Sequence, residues 1–289
     1  MAASPKTWLI TGASSGLGKS LALAALEAGY KVIGATRDVD KAEKACPEFS
    51  AKGGIWVGID PAGKDSFEKF ASCSREHNVD VLVNNAAYAF IGGVEDTSED
   101  DIRDQMEVNF YGPLRAVRAC LPVMHERGSG QVILISSGAG FIARPGRGTY
   151  SSSKFAIEAI HESLSYEVKT LGIKVLIVEP GAFRTPFASR VLTPAHLEKG
   201  FSEGYNGTAL EQTLTLHRNW TTSTPDFVRG DPDKAARAII QATGTGYDYL
   251  RLPLGKDCVA ALEDKIGQLR NDLEATREIA TATDIDSVE

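Results

Sequence analysis

The sequence predicts an α/β protein built on a doubly wound parallel sheet with helices on both faces. Short runs of apolar residues alternate with longer amphipathic stretches along the chain. The runs are almost continuously apolar, which is typical of strands that are buried on both faces. The stretches between them are long enough for the crossover helices that parallel strands need.

Each strand is predicted from a run rich in β-branched residues. The runs span 7–11, 31–36, 55–59, 81–83, 132–135 and 175–178, and a final strand is predicted over 249–252. Helices are predicted over 17–28, after Ser98 in a capping-box sequence, and from near Thr149 to about Leu171. Further helices are expected over 231–242 and 259–273, the second with Leu262, Ile266, Leu269 and Leu273 in register.

The 289 residues are interpreted as one domain, with 43% hydrophobic residues available for its core. Between 182 and 230, prolines and glycines interrupt the pattern, which predicts an insertion over a site; residues 281–289 are expected to fray. A net charge of −7 disfavours nucleic-acid binding, because no excess of cations can neutralise phosphates. No apolar run approaches the roughly 18 residues of a membrane span, so we expect no membrane insertion.

The four cysteines lie far apart, and the five histidines show no paired spacing. The sequence therefore predicts neither a disulfide scaffold nor a metal site. Cysteines that stay thiols favour a reducing compartment, so a cytoplasmic location is expected.

A glycine-rich turn lies directly between the first strand and the first helix. Its residues are Thr11, Gly12, Ala13, Ser14, Ser15, Gly16, Leu17 and Gly18. Glycines let the backbone approach a pyrophosphate, while the free N–H groups and the dipole of the helix favour negative charge. The turn thus predicts a dinucleotide site, and a tight turn without a ligand is the alternative.

The end of the second strand is where a dinucleotide site reads the adenosine ribose. Thr36 stands there instead of the carboxylate typical of NAD sites, and Arg37 follows, whose guanidinium can pair with a 2′-phosphate. We therefore predict NADP(H). In the alternative, Arg37 is a solvated charge and Asp38, also a candidate cap for a helix over 39–45, contacts the ribose.

Tyr150 and Lys154 are four residues apart on the long predicted helix, so they share a face. A nearby ammonium lowers the pKa of a phenol from about 10 toward the range where proton transfer is useful. This spacing alone is common, and an ordinary surface pair is its alternative. Ser137 follows a buried strand, so its hydroxyl is expected at the carboxyl edge of the sheet, where it can donate to a carbonyl oxygen.

Three asparagines complete the pattern. Asn84 and Asn85 end the fourth predicted strand, and Asn109 lies on the helix that follows. Each of them can also simply cap or turn the backbone.

Together these motifs resemble the short-chain dehydrogenase/reductase family, in its branch with a Thr-Gly-x-x-x-Gly-x-Gly turn, from residue 7 to about residue 185. Asn84-Asn85-Ala86-Ala87 is similar to the family's Asn-Asn-Ala-Gly element, with alanine in the last place. The resemblance implies a Rossmann fold and a catalytic tetrad of Asn109, Ser137, Tyr150 and Lys154. The cofactor-binding residues are then expected at Gly12, Ser14, Ser15, Gly16, Leu17, Gly18, Thr36, Arg37, Asp60, Asn85, Tyr150, Lys154, Pro180, Gly181, Phe183 and Thr185.

The expected function is NADPH-dependent reduction of a ketone or aldehyde to an alcohol. By the resemblance, Ser137 hydrogen-bonds the carbonyl oxygen and Tyr150 donates the proton. Lys154 lowers the tyrosine pKa and holds the nicotinamide ribose, and Asn109 positions water. An apolar or cyclic substrate is expected from the aromatic residues Tyr88, Phe141, Phe183, Phe187, Tyr205, Trp220 and Phe227.

Two other functions stay open. One is an NAD-dependent alcohol dehydrogenase, and the other is a cofactor-binding protein without catalysis. The resemblance also implies a homodimer or homotetramer built from the long central helices.

Overall fold

One parallel sheet forms the frame of the molecule. The computed structural model describes residues 5–193, 202–222 and 228–285. The strands are β1 (Thr7–Thr11), β2 (Lys31–Thr36), β3 (Ile55–Gly58), β4 (Val81–Asn84), β5 (Gly130–Ile135), β6 (Ile173–Pro180) and β7 (Arg251–Leu254). In the described residues these seven strands lie parallel in the order β3-β2-β1-β4-β5-β6-β7. The predicted α/β class is confirmed, although the last strand begins two residues later than predicted.

Helices connect the strands and cover the sheet. They are α1 (Gly16–Glu27), α2 (Val39–Ala45), α3 (Pro47–Ala51), α4 (Ser66–His77), α5 (Glu99–Met106), α6 (Gly112–Arg127), α7 (Gly148–Glu167), α8 (Ala209–Thr222), α9 (Pro232–Thr245) and α10 (Lys256–Thr281). A π-helical turn, Glu107–Tyr111, joins α5 to α6. Helix α10 is longer at both ends than the predicted 259–273. Of the tail expected to fray, residues 286–289 lie outside the described part of the chain.

Apolar side chains pack on both faces of the sheet. Leu9 packs with α4 and α6 on one face, whereas its neighbours Trp8 and Ile10 pack with α1 and α9 on the other. Successive residues of a strand point to opposite faces, so a strand that is apolar at every position must be buried on both faces of the sheet. Removing such a side chain, as in Leu9→Ala, is expected to lower the free energy of unfolding by about 2–5 kcal/mol.

The strand order leaves a crevice at the carboxyl edge of the sheet. β1 pairs with β2 on one side and with β4 on the other, so the connections that follow β1 and β4 diverge. Doubly wound sheets bind their ligands at such a point. Gly12, after β1, and Asn85, after β4, therefore lie at the crevice.

Candidate active site

The turn after β1 has a shape that requires glycine. Gly12 and Gly16 have φ angles of +66° and +56°. At Gly18, an added Cβ would lie 2.3 Å from Nδ2 of Asn85 and 2.5 Å from the carbonyl oxygen of Gly12. Ser15 is the N-cap residue of α1, and its side chain makes no capping hydrogen bond. The first N–H groups of α1 are therefore free of a side-chain cap, and the turn fits a diphosphate.

Asn85 holds the turn against the end of β4. Its Nδ2 donates to the carbonyl oxygens of Thr11, at 2.9 Å, and Gly12, at 3.2 Å. In return, Oγ1 of Thr11 accepts from the N–H groups of Asn85, at 2.9 Å, and Ala86, at 3.0 Å. Thr11 thus holds the two loops together, a role that was not predicted from the sequence. The residue after Ala86, Ala87, is the alanine that stands in place of the family's glycine.

The predicted adenosine contacts lie at the ends of β2 and β3, which are neighbours in the sheet. Thr36 is buried, and Arg37 is exposed and forms no ion pair within the described residues. Asp38 caps α2, since its Oδ1 accepts from the N–H of Lys41 at 2.9 Å. Oδ1 of Asp60 accepts from the N–H of Ala62 at 3.1 Å. Arg37 is therefore a charged side chain at the adenosine end of the crevice that has no ion-pair partner among the described residues.

Three of the four predicted catalytic residues meet at the end of β5. Nζ of Lys154 donates to the carbonyl oxygen of Ile135 at 3.0 Å and lies 5.9 Å from the centre of the Tyr150 ring. The Ser137 hydroxyl lies near enough to the Tyr150 phenol to lower its pKa, and its Oγ accepts from the N–H of Ala139 at 3.1 Å. Tyr150 and Lys154 are 6% and 3% exposed, so both groups are buried beside the crevice.

Asn109 lies behind this group on the π-helical turn. Its Nδ2 donates to the carbonyl oxygen of Tyr88, at 2.9 Å, and to Oγ of Ser153, at 3.1 Å, while its Oδ1 accepts from the N–H of Tyr88 at 3.2 Å. An amide side chain has two N–H donors, and both are used here. Asn109 therefore braces the loop after β4 against α7, next to Lys154. Wide turns of this kind recur at functional sites.

The pKa of Tyr150 departs from the sequence expectation. Burial raises the pKa of its phenol, and the hydrogen bond from Ser137 and the positive charge of Arg147 oppose that rise. Burial also lowers the pKa of Lys154 to about 8. The positive charge of Arg147 thus acts on the phenol, while Nζ of Lys154, which donates to the Ile135 carbonyl, lies 5.9 Å from the centre of the ring. The sequence analysis did not identify Arg147, which lies three residues before Tyr150 as the N-cap residue of α7.

The segment after β6 crosses the crevice. Pro180 ends β6, and at Gly181 an added Cβ would lie 2.3 Å from Oδ2 of Asp257, which accepts from the N–H of Ala182 at 2.7 Å. Phe183 forms a β-bridge with Gly230. The Thr185 side chain reaches the glycine turn, since its Cβ lies 3.4 Å from the position of an added Cβ at Gly16.

Residues 186–193 continue over the same edge of the sheet. Nη1 of Arg190 donates to Oγ of Ser15 at 2.7 Å, and the Phe187 ring lies 6.1 Å from that of Tyr150. No local pattern could have linked Arg190 to Ser15, because they are 175 residues apart. Two aromatic residues expected in the pocket cannot be placed, because the Trp220 side chain and all of Phe227 lie outside the described part.

A glycine turn at the carboxyl edge of a parallel sheet, beside a buried tyrosine and lysine, is the arrangement of a nicotinamide-dependent oxidoreductase. The family model for short chain dehydrogenases matches residues 6–195. The chain therefore belongs to the short-chain dehydrogenase/reductase family. None of its helices in the described residues is both long enough and apolar enough to span a membrane.

Known proteins agree with this assignment. The chain is 43% identical over 209 residues to Oxidoreductase claN of Passalora fulva, covering 72% of this chain and 94% of that protein. A short-chain dehydrogenase from Streptomyces avermitilis is 37% identical, with a TM-score of 0.86 over 98% of this chain and all of that one. The short-chain dehydrogenase of Sphingobium yanoikuyae, solved in complex with NADPH, is 22% identical with a TM-score of 0.71 over 98% of each chain, which shows a common fold.

Proposed function

We propose that the protein is an NADPH-dependent carbonyl reductase that converts a ketone or aldehyde to an alcohol. The convergence of Ser137, Tyr150 and Lys154 at the carboxyl edge of β5 carries this proposal. A hydroxyl donor, a proton donor and an ammonium beside one crevice are what carbonyl reduction requires of a protein.

Each residue has a distinct part. When bound, the nicotinamide cofactor supplies the hydride that the carbonyl carbon receives. Ser137 donates a hydrogen bond to the carbonyl oxygen, and Tyr150 gives that oxygen its proton. Burial keeps the Tyr150 pKa high, so the phenol is protonated near neutral pH, as the reducing direction needs. Lys154 would hold the nicotinamide ribose, and Asn109 fixes the loop beside it.

The preference for NADP(H) rests on Thr36 and Arg37. The Asp38 carboxylate already caps α2, which leaves the exposed Arg37 guanidinium as the group suited to a 2′-phosphate. A cytoplasmic location is likewise proposed, because the four cysteines are buried as free thiols.

We further propose that residues 1–289 form a single catalytic domain in which 182–230 covers an apolar or cyclic substrate. The contacts of Arg190 with Ser15 and of Phe187 with Tyr150 support a cover at this edge. Ala89, Ala139 and the partly buried Val191 pack around Tyr150, so the reacting carbonyl would sit among apolar side chains.

The test is NADPH consumption with a panel of apolar cyclic ketones and aromatic aldehydes. Tyr150→Phe is expected to lower kcat by about a thousandfold, because a positioned acid is worth roughly 10²–10⁴ in rate, while NADPH binding persists. Tyr166→Phe is the matched control, since Tyr166 lies on the same helix and is 71% exposed. Reduction by the Tyr150→Phe variant at close to the wild-type rate would refute the assigned proton donor.

A further inference from the structure

Helix α10 extends away from the rest of the chain. Its start is anchored by the buried Cys258 and by contacts with β7. From Ile266 to Thr281, however, all 16 residues are exposed. At 1.5 Å per residue, this part of α10 is about 24 Å long. An isolated helix of this length is only marginally stable in water, so packing against a partner would stabilise it.

One face of α10 carries an apolar stripe. It consists of Val259, Leu262, Ile266, Leu269 and Leu273, whose spacing alternates between three and four residues. This is the a and d pattern of a coiled coil. Ile266, Leu269 and Leu273 are 49%, 54% and 52% exposed, so nothing in the described chain covers the stripe along the free part of the helix.

Charged side chains flank the stripe at the positions that choose a partner in coiled coils. Glu263 and Arg270 lie on one flank, and Lys265 and Asp272 on the other. Within the described residues none of these four forms an ion pair. Arg277, in contrast, pairs with Glu274 of the same helix at 2.6 Å. The four flanking charges are thus available to a partner.

We propose that α10 packs antiparallel against α10 of a second copy of this chain. In this alignment Ile266 lies against the partner's Leu269, and Leu262 lies against the partner's Leu273. The same alignment puts Lys265 beside the partner's Asp272 and Glu263 beside the partner's Arg270. Each contact occurs twice by symmetry, so four opposite-charge pairs border one continuous apolar seam.

Two other arrangements fit the charges less well. A parallel pairing would place Lys265 beside the partner's Arg270, which sets like charges against each other twice. An anionic membrane surface would favour a basic helix, whereas α10 carries four basic and six acidic side chains. The pairing is independent of the proposed reductase activity, and it differs from an assembly through the long central helices.

Charge reversal across the seam tests the proposal. Lys265→Glu and Asp272→Lys each create two like-charge contacts, so each variant alone is expected to halve the assembly mass measured by light scattering at micromolar concentration. An equal mixture of the two variants should regain the wild-type mass, because every reversed charge then meets its opposite. Asp264→Lys, on the outer face of α10, is the matched control and should keep the wild-type mass.

Orientation is tested by cysteine pairs. Ile266→Cys mixed with Leu269→Cys should form a disulfide between the two variants on oxidation, whereas a parallel pairing would link each variant to itself. The four native cysteines are buried and do not compete. Wild-type mass in either charge-reversed variant, failure of the mixture to reassemble, or a monomer that binds phosphatidylserine vesicles through α10 would each overturn the proposal.

Discussion

Helix α7 carries two sets of buried ionisable groups, one helical turn apart. The two sets differ in whether they face the crevice or ion-pair partners within the protein. The first set, Tyr150 and Lys154, faces the crevice. The second begins at Glu158, which accepts a hydrogen bond from Ser136 and lies 3.6 Å from Nη2 of Arg251. Arg251, from β7, also approaches Glu162 at 2.9 Å and Glu179 at 3.2 Å. The charged groups of the second set are therefore paired with one another.

The contrast shows that burial and a shifted pKa do not by themselves mark a reactive group. Burial raises the pKa of both Glu158 and Glu179, yet Ser136 donates to Glu158 and the Arg251 guanidinium lies within ion-pair distance of both carboxylates. Lys154 donates to a backbone carbonyl and feels the Glu158 carboxylate without forming an ion pair with it, and Arg147 forms no ion pair within the described residues. Cations without an ion-pair partner, at the edge of a crevice, are the ones left for a ligand.

The largest expected effect separates the two sets by function. Lys154→Met should lower kcat by about a hundredfold or more, because it removes the ammonium beside the proton donor. Glu158→Gln should keep kcat within about threefold and instead lower the free energy of unfolding by about 1–3 kcal/mol, because a buried charged hydrogen bond is weakened. Steady-state kinetics and urea unfolding measure the two effects. A loss of kcat in Glu158→Gln as large as in Lys154→Met would erase the distinction.

Removing the cation of the second set should mainly affect stability. Arg251→Met removes the ion-pair partner of Glu158 and Glu179. The expected loss in unfolding free energy is about 2–3 kcal/mol, below the value for a fully buried pair because Arg251 is partly exposed. Arg75→Met, on the exposed face of α4, is the control and should change the free energy of unfolding by less than about 0.5 kcal/mol. Equal stability in both variants would show that Arg251 does not hold the carboxylates.

The second set also predicts how stability depends on pH. Burial and the neighbouring Glu158 raise the pKa of Glu179 to about 8, against about 4.3 in an unfolded chain. The folded state then keeps a proton that the unfolded state releases. The stabilisation from this group is thus complete below about pH 4 and is lost as the pH rises toward about 8.

Glu179→Gln cannot ionise, so its free energy of unfolding should fall less than that of the wild type between about pH 5 and pH 8. Urea unfolding of both proteins at several pH values measures the difference. Parallel curves would mean that Glu179 is ionised in the folded protein throughout this range.

The smallest expected effect concerns the adenosine end of the crevice. Arg37→Ala should raise KM for NADPH about tenfold, or about 1.4 kcal/mol, with KM for NADH nearly unchanged, because only the 2′-phosphate meets the guanidinium. Lys41→Ala, on the nearby exposed face of α2, serves as the control. Equal changes for the two cofactors would favour the alternative in which Arg37 is only a solvated charge.

Features set by neighbouring residues were predictable from the sequence. The apolar runs located the strands, and Ser98 begins α5 as its capping-box pattern predicts, with its hydroxyl accepting from the N–H of Asp101. Features set by distant residues were not. The contact of Arg190 with Ser15 and the bracing of Asn109 by Tyr88 arise only when the sheet brings separate segments together. The Tyr150 pKa was misjudged for the same reason, because the sequence spacing reveals the nearby ammonium but not the cost of burial.

The π-helical turn at Glu107–Tyr111 holds one residue more than an α-helical turn. A residue added to a regular helix rotates everything beyond it by about 100°, and a wide turn absorbs that rotation. A single-residue deletion here would thus allow a regular helix to run from α5 into α6, but it would turn the Asn109 side chain away from Ser153. Over these five residues, the number of residues sets the direction of Asn109 as much as their chemistry does.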